Sequence, residues 1–463
     1  MIKSDNIQSF VKYRKKYPIF IYDSFTYFIN DNKLSISFKF VLDDDIIFNP
    51  SISISVPEFP QLRENTRLLL DNLIFNIGLI ELISYWKATC SPTIIIKCGK
   101  LSDEQIDWWK DLYFNGLGEF FYLNSIKTGK DDFVTIISQG DTYRVPDNLN
   151  LNNEFIVPVG GGKDSAVTLQ LLKDAGYAIH PLIVNPRGAT IDTVEKAGLS
   201  FSDVITIDRS IDPLLLKLND DGFLNGHTPF SAMLAFYTLA ASAVTGSGNI
   251  ALSNESSANE PTIPGTGINH QYSKSFEFER NFREYYTRYI YGGFNYFSFL
   301  RPLNELQIVT IFAKLKQYHK VFRSCNAGSK TNSWCGHCPK CLFTHIMLAA
   351  FEGEEYADSI IMANMLNDPS MIETFDELSG ISEIKPFECV GTINDVQTAM
   401  TMIVQSSETN ELSLLSKRFK EMMLPDPEDI LHFENELDRI SQLHEKDHFL
   451  DNDLLKILKE ALR

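Results

Sequence analysis

The sequence predicts an α/β fold: a doubly wound parallel sheet, preceded by an N-terminal α+β domain and followed by a helical C-terminal region. Between residues 155 and 270, apolar runs such as "FIVPV", "HPLIVN", "DVITID" and "NIALSN" alternate with helical patterns, which is typical of parallel strands joined by crossover helices. Residues 17–57 alternate apolar and polar positions around an Asp-Asn turn, as a hairpin does. Beyond residue 353 the pattern indicates acidic helices.

Three domains are expected from these elements. Residues 1–150 form the N-terminal α+β domain, with a helix over 64–88, a strand in "PTIIIKC" and a helix in "SDEQIDWWKDLYF" that opens on an N-cap. The polar stretch "PDNLNLNNE" marks its end. Residues 151–350 form the central sheet domain, and residues 351–463 the helical region.

Charge and hydropathy narrow the class of partner. The formal charge of -18 argues against binding to nucleic acid or to an anionic membrane, because phosphate attraction needs a basic surface. No unbroken run of 18 apolar residues occurs, and the strongest apolar segment, 231–244, is interrupted by hydroxyl side chains. The first residues lack the pattern of a secretory signal. We therefore expect a cytoplasmic protein that binds neither nucleic acid nor a membrane, with its oligomeric state open.

A glycine-rich turn lies between the first strand and first helix of the central domain, in "FIVPVGGGKDSAVT". Glycines leave backbone N–H groups free to converge on an anion, and the helix that follows adds the positive end of its dipole. The spacing matches neither the Walker A loop nor the Gly-x-Gly-x-x-Gly fingerprint. The candidate phosphate-binding residues are Gly160, Gly161, Gly162, Lys163, Asp164 and Ser165. A turn that merely packs strand against helix is the alternative.

The run from Gly160 to Ser165 resembles the Ser-Gly-Gly-x-Asp-Ser loop of the PP-loop N-type ATP pyrophosphatases. The resemblance implies an adenine nucleotide alpha-hydrolase-like fold and a loop that holds the diphosphate leaving ATP. It also implies that Val184 and Asn185, at the end of the second strand, lie beside the adenosine. Gly160 stands where that family usually has serine, so a side-chain donor is missing.

Four of the seven cysteines occupy a Cys-x9-Cys-x2-Cys-x2-Cys array, "CNAGSKTNSWCGHCPKC". Thiolates at this spacing can surround one tetrahedral Zn²⁺ and leave no position open for chemistry, so a structural site is expected. An Fe–S cluster or free thiols are the alternatives. The expected ligands are Cys325, Cys335, Cys338 and Cys341.

Longer segments resemble the MurL-type epimerase family of bacterial peptidoglycan (cell-wall) biogenesis. They are "GGGKDS", "SNESSANEPTIPGTGINHQYSKSFEFE", the cysteine array and "KPFECVGT". The resemblance implies an ATP-dependent isomerase that inverts the terminal L-glutamate of UDP-N-acetylmuramoyl-L-alanyl-L-glutamate through an acyl-adenylate, with release of AMP and diphosphate. Residues 1–150 would help to hold this nucleotide-sugar dipeptide.

Two alternatives remain open. The first alternative is a different PP-loop adenylating ligase. It is suggested by the residues before the cysteine array, "FLRPLNELQIVTIFAKLKQYHKVFRSCN", which resemble those of 7-cyano-7-deazaguanine synthase. A non-catalytic nucleotide-binding protein is the other, and the departure at Gly160 is the feature that favours it.

The proposed chemistry needs oxygen ligands for Mg²⁺ and a base at the glutamate α-carbon. Asp164 and Glu255 are candidate Mg²⁺ ligands, although Glu255 could equally cap a helix. His270, Lys274 and Cys389 are the candidate bases. A thiol has an ordinary pKa of about 8.5, so Cys389 requires a nearby cation to act, and a buried inert thiol is its alternative.

Three further features have two interpretations each. The stretch "ERNFREYYTRYIYGGFNYF" interleaves arginines with aromatic residues, and could stack a base and bind a diphosphate or could pack the core. Trp108 and Trp109 have the same two interpretations. His227 could lie at the nucleotide cleft or cap the helix that follows it.

Overall fold

The computed structural model describes residues 4–59, 63–263, 267–382, 385–406, 412–426, 442–444 and 446–463. Within these residues the chain forms one mixed α/β structure around an 11-stranded sheet. The strands are β1 Ile19–Asn30, β2 Lys33–Asp43, β3 Ile46–Phe48, β4 Ser51–Ser55, β5 Thr93–Ile96, β6 Thr135–Ser138, β7 Asn152–Pro158, β8 Ile179–Val184, β9 Ile205–Ser210, β10 Ser247–Leu252 and β11 Asn295–Ser298.

The first eight helices connect or cover the strands up to β10. They are α1 Ile7–Lys16, α2 Glu64–Trp86, α3 Asp103–Gly116, α4 Gly118–Leu123, α5 Lys163–Asp174, α6 Gly188–Lys196, α7 Pro213–Asp220 and α8 Phe230–Thr245. The remaining described helices are α9 Phe276–Tyr289, α10 Glu305–Lys314, α11 Pro339–Glu352, α12 Glu354–Ile361, α13 Ile372–Ser379, α14 Ile393–Ser406, α15 Leu414–Met423 and α16 Asn452–Leu462.

The parallel half of the sheet has the order β11-β10-β7-β8-β9. Four of these strands, β7 to β10, are those that the sequence predicts, whereas β11 was not anticipated. The order reverses direction around β7: the chain moves outward to β8 and β9, and then crosses to β10 on the other side of β7. Ligands bind at such a switch point, outside the carboxyl ends of the strands.

Alternate residues of the parallel strands enter two different cores. Ile156 and Ile250 point into the core that contains α2 and α8. Phe155 and Val157 point into the core that contains α5, α10 and α11. A strand whose two faces are both buried lies in a sheet covered by helices on both sides, so the doubly wound arrangement follows from this alternation.

The N-terminal strands extend the same sheet. The hairpin of β1 and β2 turns at Asp31, whose φ is +49°, and β4 joins it to the central strands by antiparallel pairing with β9. Strands β5 and β6 add in parallel beyond β1. The described residues before 150 contain both helices and strands, and these strands and the central strands form one continuous sheet.

Helix α2 is the one described helix with the length and apolarity of a membrane span: an 18-residue segment within it has a mean hydropathy of 1.5. In the structure 89% of that segment is buried inside the protein. The helix packs against α8, so its apolar surface is that of a core helix. The sequence-based search for unbroken apolar runs missed it because polar residues such as Asn72, Asn76 and Glu81 interrupt the run.

Candidate active site

The glycine loop joins β7 to α5 at the carboxyl end of the sheet. Gly161 has a φ of +80°, and a Cβ there would lie 3.0 Å from the backbone of Ala189, so the position requires glycine. A Cβ on Gly160 would meet no atom within 4 Å, so this side of the loop is open. The Ser165 hydroxyl donates to the carbonyl oxygen of Gly162 at 3.0 Å. Anion binding at this loop therefore falls to the backbone N–H groups.

A cavity of about 410 Å³ opens on this loop. Gly160, Val184 and Asn185 all line it, together with the cations Arg187 and Arg323. Asn185 has a φ of +49°, and its side-chain oxygen accepts a hydrogen bond from the Arg209 N–H at 2.8 Å, so its position is fixed. The volume lies within the range of small-molecule sites, and the cations suit a phosphate-bearing ligand.

Lys163 connects the loop to a group of carboxylates. Its buried Nζ lies 2.5 Å from Asp164 and 2.6 Å from Glu305. Burial would lower the pKa of Lys163, but Asp164, Glu305 and Glu255 outweigh that effect and raise it, so the amine is charged. Burial and the neighbouring Glu255 raise the pKa of Glu305 well above its usual range. Glu305 was missed by sequence reasoning, although Asn304 caps α10 and places Glu305 in its first turn.

A second, smaller cavity of about 50 Å³ lies beyond Lys163. It is lined by residues from the glycine loop (Gly160–Ser165, called the phosphate loop below), from the segment after β10 and from the loop near residue 390. These include Asp164, Glu255, Lys274, Glu305 and Cys389. One carboxylate oxygen of Glu255, Oε2, is buried without a hydrogen-bond partner. The other, Oε1, accepts from the Ser257 hydroxyl at 2.5 Å. The Glu255 side chain does not cap the short helix that follows it.

A buried ion pair holds the two segments that supply Glu255 and Lys274. The Arg301 guanidinium lies 3.0 Å from Glu279, and the two side chains are 1% and 2% exposed. The same guanidinium donates to the carbonyl oxygens of Glu255 at 2.6 Å and Lys274 at 2.5 Å. The backbone positions of both candidate site residues therefore depend on Arg301.

Cys389 lies between two cationic side chains. The Lys274 Nζ donates to its sulfur at 3.1 Å, and the His270 ring forms a hydrogen bond with it as well. Burial would raise the pKa of this thiol, but Lys274, His270 and Lys340 outweigh it and lower the pKa of Cys389 to about 5. The cation that the sequence argument required is therefore present, and the thiol is ionised at neutral pH.

His270 and His227 share a single buried carboxylate, that of Glu119. The Nδ1 atom of His270 hydrogen-bonds to Oε2 of Glu119, and Nδ1 of His227 lies 3.3 Å from the same oxygen. Burial opposes a charge on His270, but Cys389 and Glu119 raise its pKa to about 9. Burial and the charge of His270 lower the pKa of His227 to about 4. His227 does not cap α8, whose preceding residue is Pro229.

The four clustered cysteines meet in space. The sulfur of Cys338 lies 3.9 Å from Cys325 and 3.5 Å from Cys341, and Cys335 lies 3.7 Å from Cys341. Four thiolates around one zinc ion at ~2.3 Å would be about 3.8 Å apart, so the arrangement is compatible with a structural zinc site. Backbone N–H groups of Gly328 and Cys335 also donate to Cys325 at 3.1 and 3.4 Å.

The structure brings the sequence-predicted candidates together. Gly160, Val184 and Asn185 line one cavity, and Lys163, Asp164, Glu255, Lys274 and Cys389 line the next. Gly161, Gly162, Ser165 and His270 do not line either cavity, although His270 contacts Cys389. The aromatic residues of α9 pack the core, as do Trp109 and the partly buried Trp108, which stacks on Tyr285 at 4.0 Å between ring centroids. Sequence reasoning missed Glu119, because nothing in its local sequence distinguishes it from other helix carboxylates.

Family models and curated relatives agree along the chain. Residues 11–299 match the MurL N-terminal domain, and residues 321–430 match the MurL C-terminal domain. A UDP-N-acetyl-alpha-D-muramoyl-L-alanyl-L-glutamate epimerase from Xanthomonas oryzae is 34% identical over 365 residues, which covers 76% of this chain and 79% of that protein. Proteins with the same name from a Micromonospora species and Salinispora tropica are each 31% identical, over 79% and 81% of this chain and 82% of each relative. This chain belongs to the MurL family.

Proposed function

We propose that the chain is an ATP-dependent epimerase of the PP-loop superfamily, with an adenine nucleotide alpha-hydrolase-like sheet. Its proposed substrate is UDP-N-acetylmuramoyl-L-alanyl-L-glutamate, whose terminal glutamate it inverts in peptidoglycan precursor synthesis. The names of the relatives support the substrate. The observation that carries the mechanism is that Lys163 and Asp164 of the glycine loop and the Cys389 thiolate line one cavity.

Adenylation of the substrate explains why an ATP-binding loop and the Cys389 thiolate would line the same cavity. Removing the α-proton beside an ionised carboxylate would place a second negative charge next to the first. Conversion of the carboxylate to an acyl-adenylate removes the first charge and lets the carbonyl delocalise the second, so a side-chain base can act near neutral pH.

In the first half-reaction a carboxylate oxygen of the substrate attacks the α-phosphorus of ATP, and the bond to the diphosphate breaks. The backbone N–H groups from Gly160 to Asp164 and the positive end of α5 would hold that diphosphate. Asp164 and the unpartnered oxygen of Glu255 offer the oxygen ligands that Mg²⁺ prefers. A Mg²⁺ ion bound there would offset the charge of the phosphates.

In the second half-reaction the Cys389 thiolate takes the α-proton, so that the C–H bond breaks and an S–H bond forms. His270 and Lys274 are the cations in contact with that sulfur, and one of them returns a proton to the opposite face. Water then attacks the acyl carbonyl and releases the D-glutamate product and AMP. Residues 1–150 would help to bind the nucleotide sugar, and zinc on the four cysteines would hold the 325–341 segment.

The proposal is tested by incubating the protein with ATP, Mg²⁺ and the substrate in deuterated water. The expected products are AMP, diphosphate and the epimer of the intact substrate, whose terminal residue is D-glutamate with deuterium at the α-carbon. AMP formation without deuterium uptake would indicate an adenylating ligase instead, and absence of AMP would indicate a non-catalytic nucleotide-binding protein.

A cysteine variant separates the two half-reactions. Cys389→Ser is expected to abolish deuterium uptake while pyrophosphate release on mixing with ATP and substrate persists, because the phosphate loop is untouched. Cys98→Ser is the matched control, since Cys98 is partly buried near Tyr22 and Tyr143, away from this cavity.

A further inference from the structure

Glu119 lies in α4, far along the chain from the glycine loop and from the candidate bases His270, Lys274 and Cys389. Its carboxylate is 2% exposed, and within the described residues His270 and His227 are the two side chains whose ring nitrogens reach it. The rings of the two histidines lie 4.6 Å apart between centroids. A buried carboxylate is stabilised by hydrogen-bond donors and by positive charge, and here both can come from imidazole groups.

The contacts form a chain of alternating charge. Glu119 contacts His270, His270 hydrogen-bonds to Cys389, and Cys389 accepts from Lys274 at 3.1 Å. Lys274 in turn lies in the field of Asp164 and Glu255 beside the phosphate loop. Carboxylate, imidazolium, thiolate and ammonium therefore follow one another, and each charge stabilises the next in a partly buried site.

His227 occupies a different position although it faces the same carboxylate. It lies on a segment held by Lys87, whose Nζ donates to the Thr228 hydroxyl at 2.5 Å and also to the Gly226 carbonyl oxygen. Asn124 donates to the Asn225 carbonyl oxygen at 3.2 Å. Burial and the charge of His270 keep His227 neutral, so only one of these two imidazoles carries a charge at neutral pH.

We infer that Glu119 is a positioning residue that keeps His270 doubly protonated, with Nδ1 held by the carboxylate, so that the other ring nitrogen faces Cys389 as the proton donor. This inference rests on the proposed function and divides its roles: Cys389 accepts the α-proton, and His270 supplies the proton that returns. It resembles the general arrangement in which a third group orients the partner of a reactive side chain. It also gives α4, within residues 1–150, a part in the reaction.

The same three side chains could instead bind a metal ion, since their ligand atoms lie within 4.8 Å of one another. The charges around these side chains favour a protonated His270 between Glu119 and Cys389 over a bound metal ion. Lys274 and Lys87 already place positive charge around Glu119 and Cys389, and a divalent ion would add to it in a ligand group that contains one carboxylate, that of Glu119. Metal content is therefore one outcome of the test.

The experiment measures the reactivity of Cys389 without ATP or substrate, so it does not depend on the proposed reaction. Iodoacetamide labelling of Cys389 is followed against pH by mass spectrometry in the full chain and in Glu119→Gln, Glu119→Asp and Glu104→Gln. Glu104→Gln is the matched control, because Glu104 is 62% exposed and pairs with Arg288 at the surface.

The groups that bear on this titration come from several elements, and all are retained in the variants. They are His227, His270, Lys274, Lys340 and Glu388, with Lys87 acting on His227. The parent protein should show a labelling midpoint near pH 5. Glu119→Gln should raise it by about one pH unit or more, because His270 loses the carboxylate that holds its proton. Glu119→Asp should restore part of that change, and Glu104→Gln should leave the midpoint unaltered.

The inference is overturned if Glu119→Gln leaves the labelling midpoint unaltered in protein whose circular dichroism matches the parent. It is also overturned if elemental analysis finds a metal ion beyond that of the four cysteines and Glu119→Gln removes it. A steady-state readout completes the test: Glu119→Gln should lower kcat for epimerisation more than 10-fold and leave the KM for ATP within twofold. Equal losses in both would indicate a structural role and contradict the inference.

Discussion

Replacing Lys274 by methionine tests the electrostatic origin of the Cys389 base. The Lys274 Nζ lies 3.1 Å from the sulfur, and it is the largest of the cationic effects that lower the pKa of Cys389 to about 5. Methionine keeps most of the side-chain volume and removes the charge. Burial then raises the pKa of the thiol while His270 and Lys340 still lower it, so the value should rise from about 5 toward its ordinary ~8.5.

The expected loss follows from the ionised fraction. A thiol with a pKa of about 5 is ionised almost completely at pH 7, whereas one with a pKa of ~8.5 is about 3% ionised. Lys274→Met should therefore reduce α-deuterium exchange by up to about 30-fold at pH 7, and the rate should rise with pH above 7 as the thiol ionises. Exchange by the parent should instead fall as pH drops through about 5.

The high-pH side of the parent profile depends on His270. Its pKa is raised to about 9 in the folded protein, so the ring is charged at neutral pH and loses its charge as pH rises through about 9. The exchange rate of the parent protein should thus be bell-shaped against pH. The two apparent pKa values of that curve describe Cys389 and His270 together, because the two groups interact. The matched control is Lys97→Met, which removes a surface lysine that pairs with Asp23. A loss smaller than threefold, or a pH profile like that of the parent, would refute the reasoning.

Three further outcomes are expected. Gly161→Ala should abolish pyrophosphate release and lower the free energy of unfolding by about 1–3 kcal/mol, because the backbone φ at this position is +80°. Gly160→Ser should fold normally and keep activity, because the Cβ of the new side chain has open space. Equal effects of the two substitutions in urea unfolding and in ATP assays would contradict this. Cys335→Ser should lose the bound metal and lower Tm, as elemental analysis and calorimetry would show, unless the four thiols hold no ion. Arg301→Met should cost about 3–5 kcal/mol in denaturant unfolding, since Glu279 is left buried and unpaired; a cost below ~1 kcal/mol would contradict the anchoring role.

The features that sequence reasoning could identify are those encoded over short distances. The phosphate loop lies within six consecutive residues, Gly160 to Ser165, and the four cysteines within 17. Strands β7 to β10 follow from local apolar runs separated by helices. In each of these, neighbours in sequence are neighbours in space, so a local pattern carries the information.

The thiolate cluster could be predicted only in part. Its residues, Glu119, His227, His270, Lys274 and Cys389, come from five positions spread over 271 residues of the chain. Sequence reasoning named four of them, all except Glu119, but the low pKa of Cys389 depends on tertiary contacts that no local pattern records. The two cations that meet the thiol decide its state, and the sequence alone left an inert thiol as the alternative.

The continuous sheet was missed for the same reason. The pairing of Ser51–Ser55 with Ile205–Ser210 joins strands about 150 residues apart, and the alternating pattern of β4 fits any partner of suitable length. The sequence thus indicates which segments are strands but leaves open which of them meet.

The central claim is that the substrate carboxylate is adenylated at the glycine loop before the thiolate removes the α-proton. It is tested most directly with substrate carrying ¹⁸O in the terminal α-carboxylate. Attack of that oxygen on the α-phosphorus, followed by attack of water at the acyl carbonyl, should leave one ¹⁸O in the phosphate of each AMP formed, in step with D-glutamate. AMP that contains no ¹⁸O while D-glutamate accumulates would contradict the account.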